Sequence, residues 1–186
     1  MARAGIGFPA ASAPPPALSV ELASRAVTLR AATTADAPFL LALFASFRAA
    51  ELALMPWTAA QKAAFVADQF HLQHVHFTTQ LDRVAFWVIE RRGDDGVARP
   101  IGRLYLQGSA PVWRIVDIGL MPGERGTGLG GALMRWIEQS ARGAGAEAIE
   151  LQVAHNNPRA ARLYAQLGFQ PLGPAGEMHQ AMRLAL

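Results

Sequence analysis

Arg125-Gly126-Thr127-Gly128-Leu129-Gly130-Gly131 is the stretch whose residue types and spacing are best suited to chemistry. It lies between an apolar run, Ile115 to Met121, and an amphipathic segment, Leu133 to Arg142. Four glycines in six positions leave backbone N–H groups uncovered by side chains. The helix expected next adds the positive end of its dipole, so an anionic group such as a phosphate is the expected occupant. Arg125 supplies a fixed positive charge at the entrance. A tight turn without a ligand needs one or two glycines, not four.

Three further groups carry potential chemistry. Tyr164 sits in Asn157-Pro158-Arg159-Ala160-Ala161-Arg162-Leu163-Tyr164, where its hydroxyl is either a proton donor or the tip of a core residue on the Ala160, Leu163, Leu167 face. Helical phase alone does not separate the two. Asp117 is a lone carboxylate in the apolar Ile115 to Leu120 run. A charge there is costly unless paired, so it is either functional or satisfied by a partner such as Arg103 or Arg114. His71, His74 and His76 invite a metal reading, but His76 leaves the face shared by the other two and no nearby carboxylate completes a ligand set. No metal is expected. His155 follows a strand and by default is a surface loop residue.

The elements that must position these groups follow from periodicity and caps. Val27 to Arg30 reads as a strand. Thr34 is placed to cap a helix to about Ala50, with Pro38 tolerated in its first turn. Its apolar face is Phe39, Leu40, Leu43, Phe44 and Phe47. Leu52 to Trp57 connects to a second helix, opened by the capping box Thr58-Ala59-Ala60-Gln61 and running to about Leu81. Val84 to Glu90 and Ile101 to Leu106 form a hairpin about Gly93-Asp94-Asp95-Gly96. Val112 to Met121 is the longest strand candidate, ended by Pro122. The helix after the glycines stops at Arg142-Gly143-Ala144-Gly145. Ile149, Leu151 and Val153 mark another strand. Asn157 before Pro158 caps a short helix that Gly168 ends. Phe169 to Leu172 and Met178 to Leu184 close the order β-α-α-β-β-β-α-β-α-β-β.

Composition bounds the rest. The chain has 186 residues, 52% hydrophobic, enough for one domain with a substantial core. Residues 1–26, rich in alanine and proline, read as a flexible extension, and 27–186 as the single domain. The net charge is +3, Lys62 is the one lysine, and the arginines are scattered without interleaved aromatics, so no nucleic-acid partner is expected. Cysteine is absent, which rules out thiolate metal sites and cysteine nucleophiles and fits a reducing cytoplasm. No apolar run reaches the roughly 18 residues of a membrane span, and none is expected to meet a membrane.

Gly126, Gly128 and Gly131 also satisfy GxGxxG, a dinucleotide pattern with Glu147 or Glu150 near the ribose. Too little chain follows it for a six-stranded doubly wound sheet, and the preceding hairpin does not suit that fold. The alternative is more specific. Arg125-x-x-Gly128-x-Gly130 after a strand ending in a proline turn, together with Asn157 to Phe169, which is similar to the signature NxxAxxLYxxxGF, resembles the GNAT superfamily of acyl-CoA-dependent N-acyltransferases. The resemblance runs from Val27 to Leu184 and is strong from Ile118 to Phe169.

That resemblance implies an α+β fold: a mostly antiparallel twisted sheet with a splayed parallel pair and about four flanking helices. It implies that the amides of Arg125, Gly126, Thr127, Gly128, Leu129, Gly130 and Gly131 hold the pyrophosphate of acetyl-CoA, where a side chain at Gly128 or Gly130 would intrude. Ile118 and Leu120 would bind the pantetheine arm as an added strand, with the Leu120 amide polarising the thioester carbonyl. Asn157 would contact that arm, or serve only as a helix cap. Tyr164 would be the general acid for the departing sulfur. The glutamate that many members place six positions before the residue matching Leu120 is Arg114 here. Asp117 is then the candidate base or amine anchor, with Glu51 and Glu90 behind it. The acceptor is an amine, of a small molecule or a peptide, attacking directly without an acyl-enzyme. The helices from Thr34 to Leu81, with Trp57, would cover its end of the site. A homodimer is common among such proteins. A non-catalytic acyl-CoA-binding module is the second reading, supported by the missing glutamate, and a nicotinamide oxidoreductase the third.

Overall fold

The computed structural model describes residues 7–9, 14–108, 111–174 and 176–186. Its strands are β1 (Val27–Ala31), β2 (Val84–Arg92), β3 (Ala98–Gln107), β4 (Val112–Leu120), β5 (Ala148–Ala154), β6 (Gln170–Pro171) and β7 (His179–Ala185). They form one seven-stranded sheet in the order β1-β2-β3-β4-β5-β7-β6. The described helices are α1 (Val20–Ser24), α2 (Ala37–Ala53), α3 (Ala59–Thr79), α4 (Leu129–Gly143) and α5 (Pro158–Gln166). Every strand pair is antiparallel except β4–β5, which the crossover through α4 makes parallel.

Local chemistry explains most element boundaries. Thr58 caps α3 as expected: its hydroxyl accepts from the Gln61 N–H at 3.2 Å, and the Gln61 side chain accepts from the Thr58 N–H at 2.8 Å. Asn157 Oδ1 accepts from the Ala160 N–H at 3.1 Å and opens α5 with Pro158 in its first turn. The start of α2 differs from the expected Thr34 cap. A 3-10 turn, Thr34–Asp36, comes first, and Thr33 donates from its N–H and hydroxyl to Asp36 Oδ2 at 2.8 and 3.1 Å. Asp36 is drawn inward by the Arg30 guanidinium, which holds its carboxyl below the ordinary range.

The main core lies between the sheet and α4. Leu129, Leu133, Trp136, Ile137 and Ala141 recur at helical spacing and pack on Trp87, Leu104, Trp113, Ile115, Ile149 and Leu151. On the opposite face, α2 and α3 pack together through Leu40, Phe44, Val66 and Phe70, beside Phe86, Val88 and Tyr105 of the sheet.

The flexible extension expected over residues 1–26 does not describe its last part. Residues 1–6 and 10–13 lie outside the described residues, but Val20–Ser24 is helical and Leu22 is completely buried against α4. The Trp136 indole N–H donates to the Ala17 carbonyl at 2.9 Å. Leu18 and Leu22 alone, in an alanine- and proline-rich stretch, are too few to set a period, so only packing reveals the anchor. Leu22→Ala should cost about 3 kcal/mol of stability in urea unfolding; a loss under about 0.5 kcal/mol would show that α1 is not anchored there.

The β4–β5 ladder ends at Ile115 paired with Leu151, although β4 continues to Leu120 and β5 to Ala154. A bulge has its place there: on the β3 side Leu106 faces Ile115 and Tyr105 faces Asp117, leaving Val116 as the extra residue. A bulge bends its strand and increases local twist. It therefore turns the end of β4 away from β5 and opens a gap in the middle of the sheet.

Candidate active site

The glycine loop ends beside that gap. Gly126 and Gly128 both have φ of +84°, a left-handed conformation in which a Cβ carries a penalty. Gly128 is the N-cap of α4 and brings no side chain to the cap; the Ala132 N–H closes the first turn on its carbonyl at 3.1 Å. The amides of Leu129, Gly130 and Gly131 thus precede the first intrahelical bond, at the positive end of a 15-residue helix. Thr127 steadies the loop by donating from its hydroxyl to the Glu124 carbonyl at 2.9 Å. Gly130 departs from the expectation that a side chain there would enter the cradle. A Cβ on it would meet Leu163 of α5 at an ordinary 3.6 Å.

Arg125 is not the charge at the loop. Its Nε donates to the Leu120 carbonyl at 2.8 Å and its Nη2 to the Ser46 hydroxyl at 2.6 Å, with the guanidinium over the Phe47 ring at 5.1 Å. It clamps the end of β4 to α2. The guanidiniums beside the loop include Arg159, whose Nη2 is 2.7 Å from a Cβ built on Gly126, Arg25, whose Nη2 is 3.5 Å from one on Gly128, and Arg135, whose Nη1 is 3.2 Å from one on Gly131 but which is paired with Glu21 at 2.8 Å. Sequence reasoning missed Arg25 and Arg159. Arg25 lies far back in the chain, and Arg159 stands at an unspecified position of its motif.

The gap supplies the second set of donors. Met121 donates its N–H across to Ile101 of β3 at 2.8 Å. Alternation along an extended strand then turns the N–H groups of Ile118 and Leu120 the other way, toward the gap that β5 has left. The Leu120 carbonyl, on that same side, is the one held by Arg125. Asn157 spends its oxygen on the α5 cap, so only its amide nitrogen is left for other work.

Tyr164 is buried and packs on Phe169 with ring centroids 5.8 Å apart. Burial pushes its hydroxyl up to about 12, and the charge of Asp117 adds to the shift. Tyr164 thus belongs to the core on the α4 side of the sheet.

Of the partners suggested for Asp117, the structure selects Arg103. Its Nη2 donates to Asp117 Oδ2 and, at 3.0 Å, to Gln73 Oε1. The Arg103 side chain is 2% exposed, between the Phe47 ring at 5.8 Å and the Tyr105 ring at 5.2 Å, while Asp117 is 15% exposed. Arg114 instead lies 56% exposed, 3.9 Å from Glu150. Asp117→Asn leaves a buried guanidinium without its carboxylate and should cost about 3 kcal/mol in chemical denaturation. A cost below about 1 kcal/mol would mean that Arg103 is solvated.

The remaining candidates are engaged elsewhere. Glu51 pairs with Arg48 at 3.1 Å on the surface, and Glu90 accepts from Arg30 at 2.8 Å. His74 is buried, bonded through Nε2 to the Gly7 carbonyl at 2.8 Å and edge-on to Phe8; desolvation holds its pKa below the ordinary value. His155 bonds the Gly176 carbonyl at 2.8 Å on an exposed loop. Phe47, expected simply to face the core, is 40% exposed and points the tip of its ring at Gly119, where a Cβ would stand 2.3 Å from its Cζ.

A bulged strand parting from its parallel neighbour, with an uncapped glycine-rich helix start beside the gap, is the framework of an acyltransferase of the GNAT type. The comparisons agree. The acetyltransferase (GNAT) family model matches residues 48–169, and the chain belongs to that family. Among solved structures it is similar to the PaiA N-acetyltransferase of Thermoplasma acidophilum in complex with coenzyme A, with TM-score 0.60 and 16% identity over 86% of this chain and 99% of that one. It is similar to spermidine N-acetyltransferase of Vibrio cholerae in complex with CoA and spermine, with TM-score 0.55 and 21% identity over 86% and 95%. An acetyltransferase from Thermus thermophilus aligns with TM-score 0.58 and 22% identity over 86% and 97%. A search of curated protein sequences returns no significant match. No described helix is long and apolar enough to cross a membrane.

Proposed function

We propose that this chain is an N-acetyltransferase that passes the acetyl group of acetyl-CoA directly to an amine. The observation that carries this reading is the juxtaposition of two donor sets: the uncapped amides of the Gly128 to Gly131 helix start, and the β4 amides of Ile118 and Leu120 facing the gap. The first set suits a diphosphate. The second suits an extended amide-containing arm, recognised as a strand would be.

The residues then take these roles. The loop from Arg125 to Gly131 holds the diphosphate by its main chain. Ile118 and Leu120 hold the arm, with Asn157 at its side. The Leu120 N–H polarises the thioester carbonyl while the acceptor nitrogen forms its bond to carbon and the carbon–sulfur bond breaks. Tyr164, protonated because burial raises its pKa, gives its proton to the departing sulfur. Arg103 takes Asp117 Oδ2, so the other oxygen is the one that anchors the acceptor ammonium or receives its proton. Phe47 forms the apolar wall beside that position.

The cysteine-free composition suits a reducing cytoplasm. The acceptor is a small amine or a peptide amine. Spermine bound in the Vibrio cholerae enzyme makes polyamines a sensible part of the acceptor panel. The test is to mix the protein with acetyl-CoA and that panel, with and without each amine, and follow free thiol. Amine-dependent thiol release is the expected result. Arg114 at the place where many relatives carry a glutamate favours a second reading, a module that holds acyl-CoA without turnover. Coenzyme binding with no thiol release on any amine would select that reading.

A further inference from the structure

Helix α1 precedes every element assigned to the domain from sequence, yet its end reaches the glycine loop. Arg25, its C-cap, donates from Nη1 to the Thr127 carbonyl at 3.0 Å and carries Nη2 over Gly128. The helix is held in place without Arg25: Leu22 is buried, Glu21 pairs with Arg135 of α4 at 2.8 Å, and Trp136 bonds Ala17. From the other side Arg159, in the first turn of α5, lays its guanidinium against Gly126.

Arg125 stands close enough that the charge of Arg159, after burial, makes its guanidinium easier to deprotonate. The Arg25 and Arg159 guanidiniums therefore flank one loop of uncapped amides, with Arg125 behind them on Ser46 and Leu120. Among the described residues the one carboxylate in ion-pair reach of any of them is Glu21, 3.5 Å from Arg25 and closer to Arg135. Like charges gathered around one shared carboxylate repel one another, and an anion of at least two charges relieves that repulsion.

We infer that α1 is part of the donor site, and that Arg25 and Arg159 clamp the coenzyme diphosphate from opposite sides of the loop. The inference rests on the acyl-CoA reading above. Both guanidiniums end flexible side chains and can close on the two phosphates with charge-assisted bonds. The main chain supplies the shape of the cradle, and the two arginines supply most of its charge. The N-terminal helix is then needed for coenzyme affinity and not for turnover of bound thioester.

The test compares acetyl-CoA with acetyl-pantetheine, a thioester lacking the diphosphate, on the full chain. Calorimetry of the unaltered protein with coenzyme A comes first; no uptake there fails the acyl-CoA reading itself. Given uptake, Arg25→Gln should raise KM for acetyl-CoA about tenfold, the loss of one charge-assisted contact, and leave kcat/KM for acetyl-pantetheine unchanged. Arg25→Lys should recover part of the loss, and Arg25→Gln with Arg159→Gln should exceed either alone. An unchanged KM for acetyl-CoA overturns the clamp. So does an equal loss on both thioesters, which would mark Arg25 as a structural support for the loop.

Discussion

Gly128→Asn should reduce coenzyme A affinity at least a hundredfold while costing no more than about 1 kcal/mol of stability. Gly128 caps α4 at φ +84°. Asparagine is the non-glycine residue that enters this conformation most cheaply, and it is itself a good N-cap. The space around a Cβ at this position holds only the Arg25 guanidinium, at 3.5 Å or more, which is the far end of a flexible chain. The fold therefore tolerates the substitution. The cradle does not, because a carboxamide would occupy the concave side and offer its oxygen to the helix amides that would otherwise grip phosphate. Calorimetry with coenzyme A reads the affinity, and urea unfolding confirms the fold. Undiminished binding by a folded variant would remove the loop from the site and the acyl-CoA reading with it. Valine at the same position would be a poorer probe, since its β-branch strains the left-handed backbone and confounds binding with folding.

The second large effect is on turnover. Tyr164→Phe should lower kcat about a hundredfold with little change in KM for acetyl-CoA. The ring packs on Phe169 at 5.8 Å within the main core, and phenylalanine keeps that packing. Stability should accordingly stay within about 1 kcal/mol. What is removed is a hydroxyl whose pKa burial pushes to about 12. The sign follows: a raised pKa keeps the proton on until pH climbs toward that value, so Tyr164 is a donor throughout the neutral range and not a base. Any fall of kcat on the acid side belongs to another group, the one that takes the amine proton. A purified, folded Tyr164→Phe enzyme with full turnover would sink the acid role, and Tyr164 would be a core residue alone.

The parts of the site that were legible in the sequence are those encoded within a few residues. Gly126 and Gly128 announce left-handed backbone and bare amides because no other residue type meets that need so cheaply. Thr58 with Gln61, and Asn157 with Pro158, mark helix starts because a cap is a bond spanning three residues. The apolar β4 run predicts a central strand for the same local reason. Helix α2 starts later than a Thr34 cap predicts, with Asp36 as its N-cap, because Asp36 is held both by Thr33 and by the Arg30 guanidinium at the end of β1.

The remainder depended on register. Nothing in Ile115-Val116-Asp117 states that Val116 is the extra residue of a bulge, since a bulge is a relation between two strands. Yet that one residue turns Asp117 to Arg103 instead of Arg114 and parts β4 from β5. Phe47 on Gly119, Arg125 folded back onto Ser46, and Arg25 over Gly128 each join segments far apart in the chain. A sequence read alone has no distance between such segments. It determined the class of fold, the glycine loop and the tyrosine to test, because caps, left-handed glycines and hydrophobic period are properties of short stretches. Only the tertiary structure decided which charges meet at the loop, which carboxylate is already paired and which helix reaches the loop. Those outcomes are set by packing between elements, where a shift of one residue exchanges every partner.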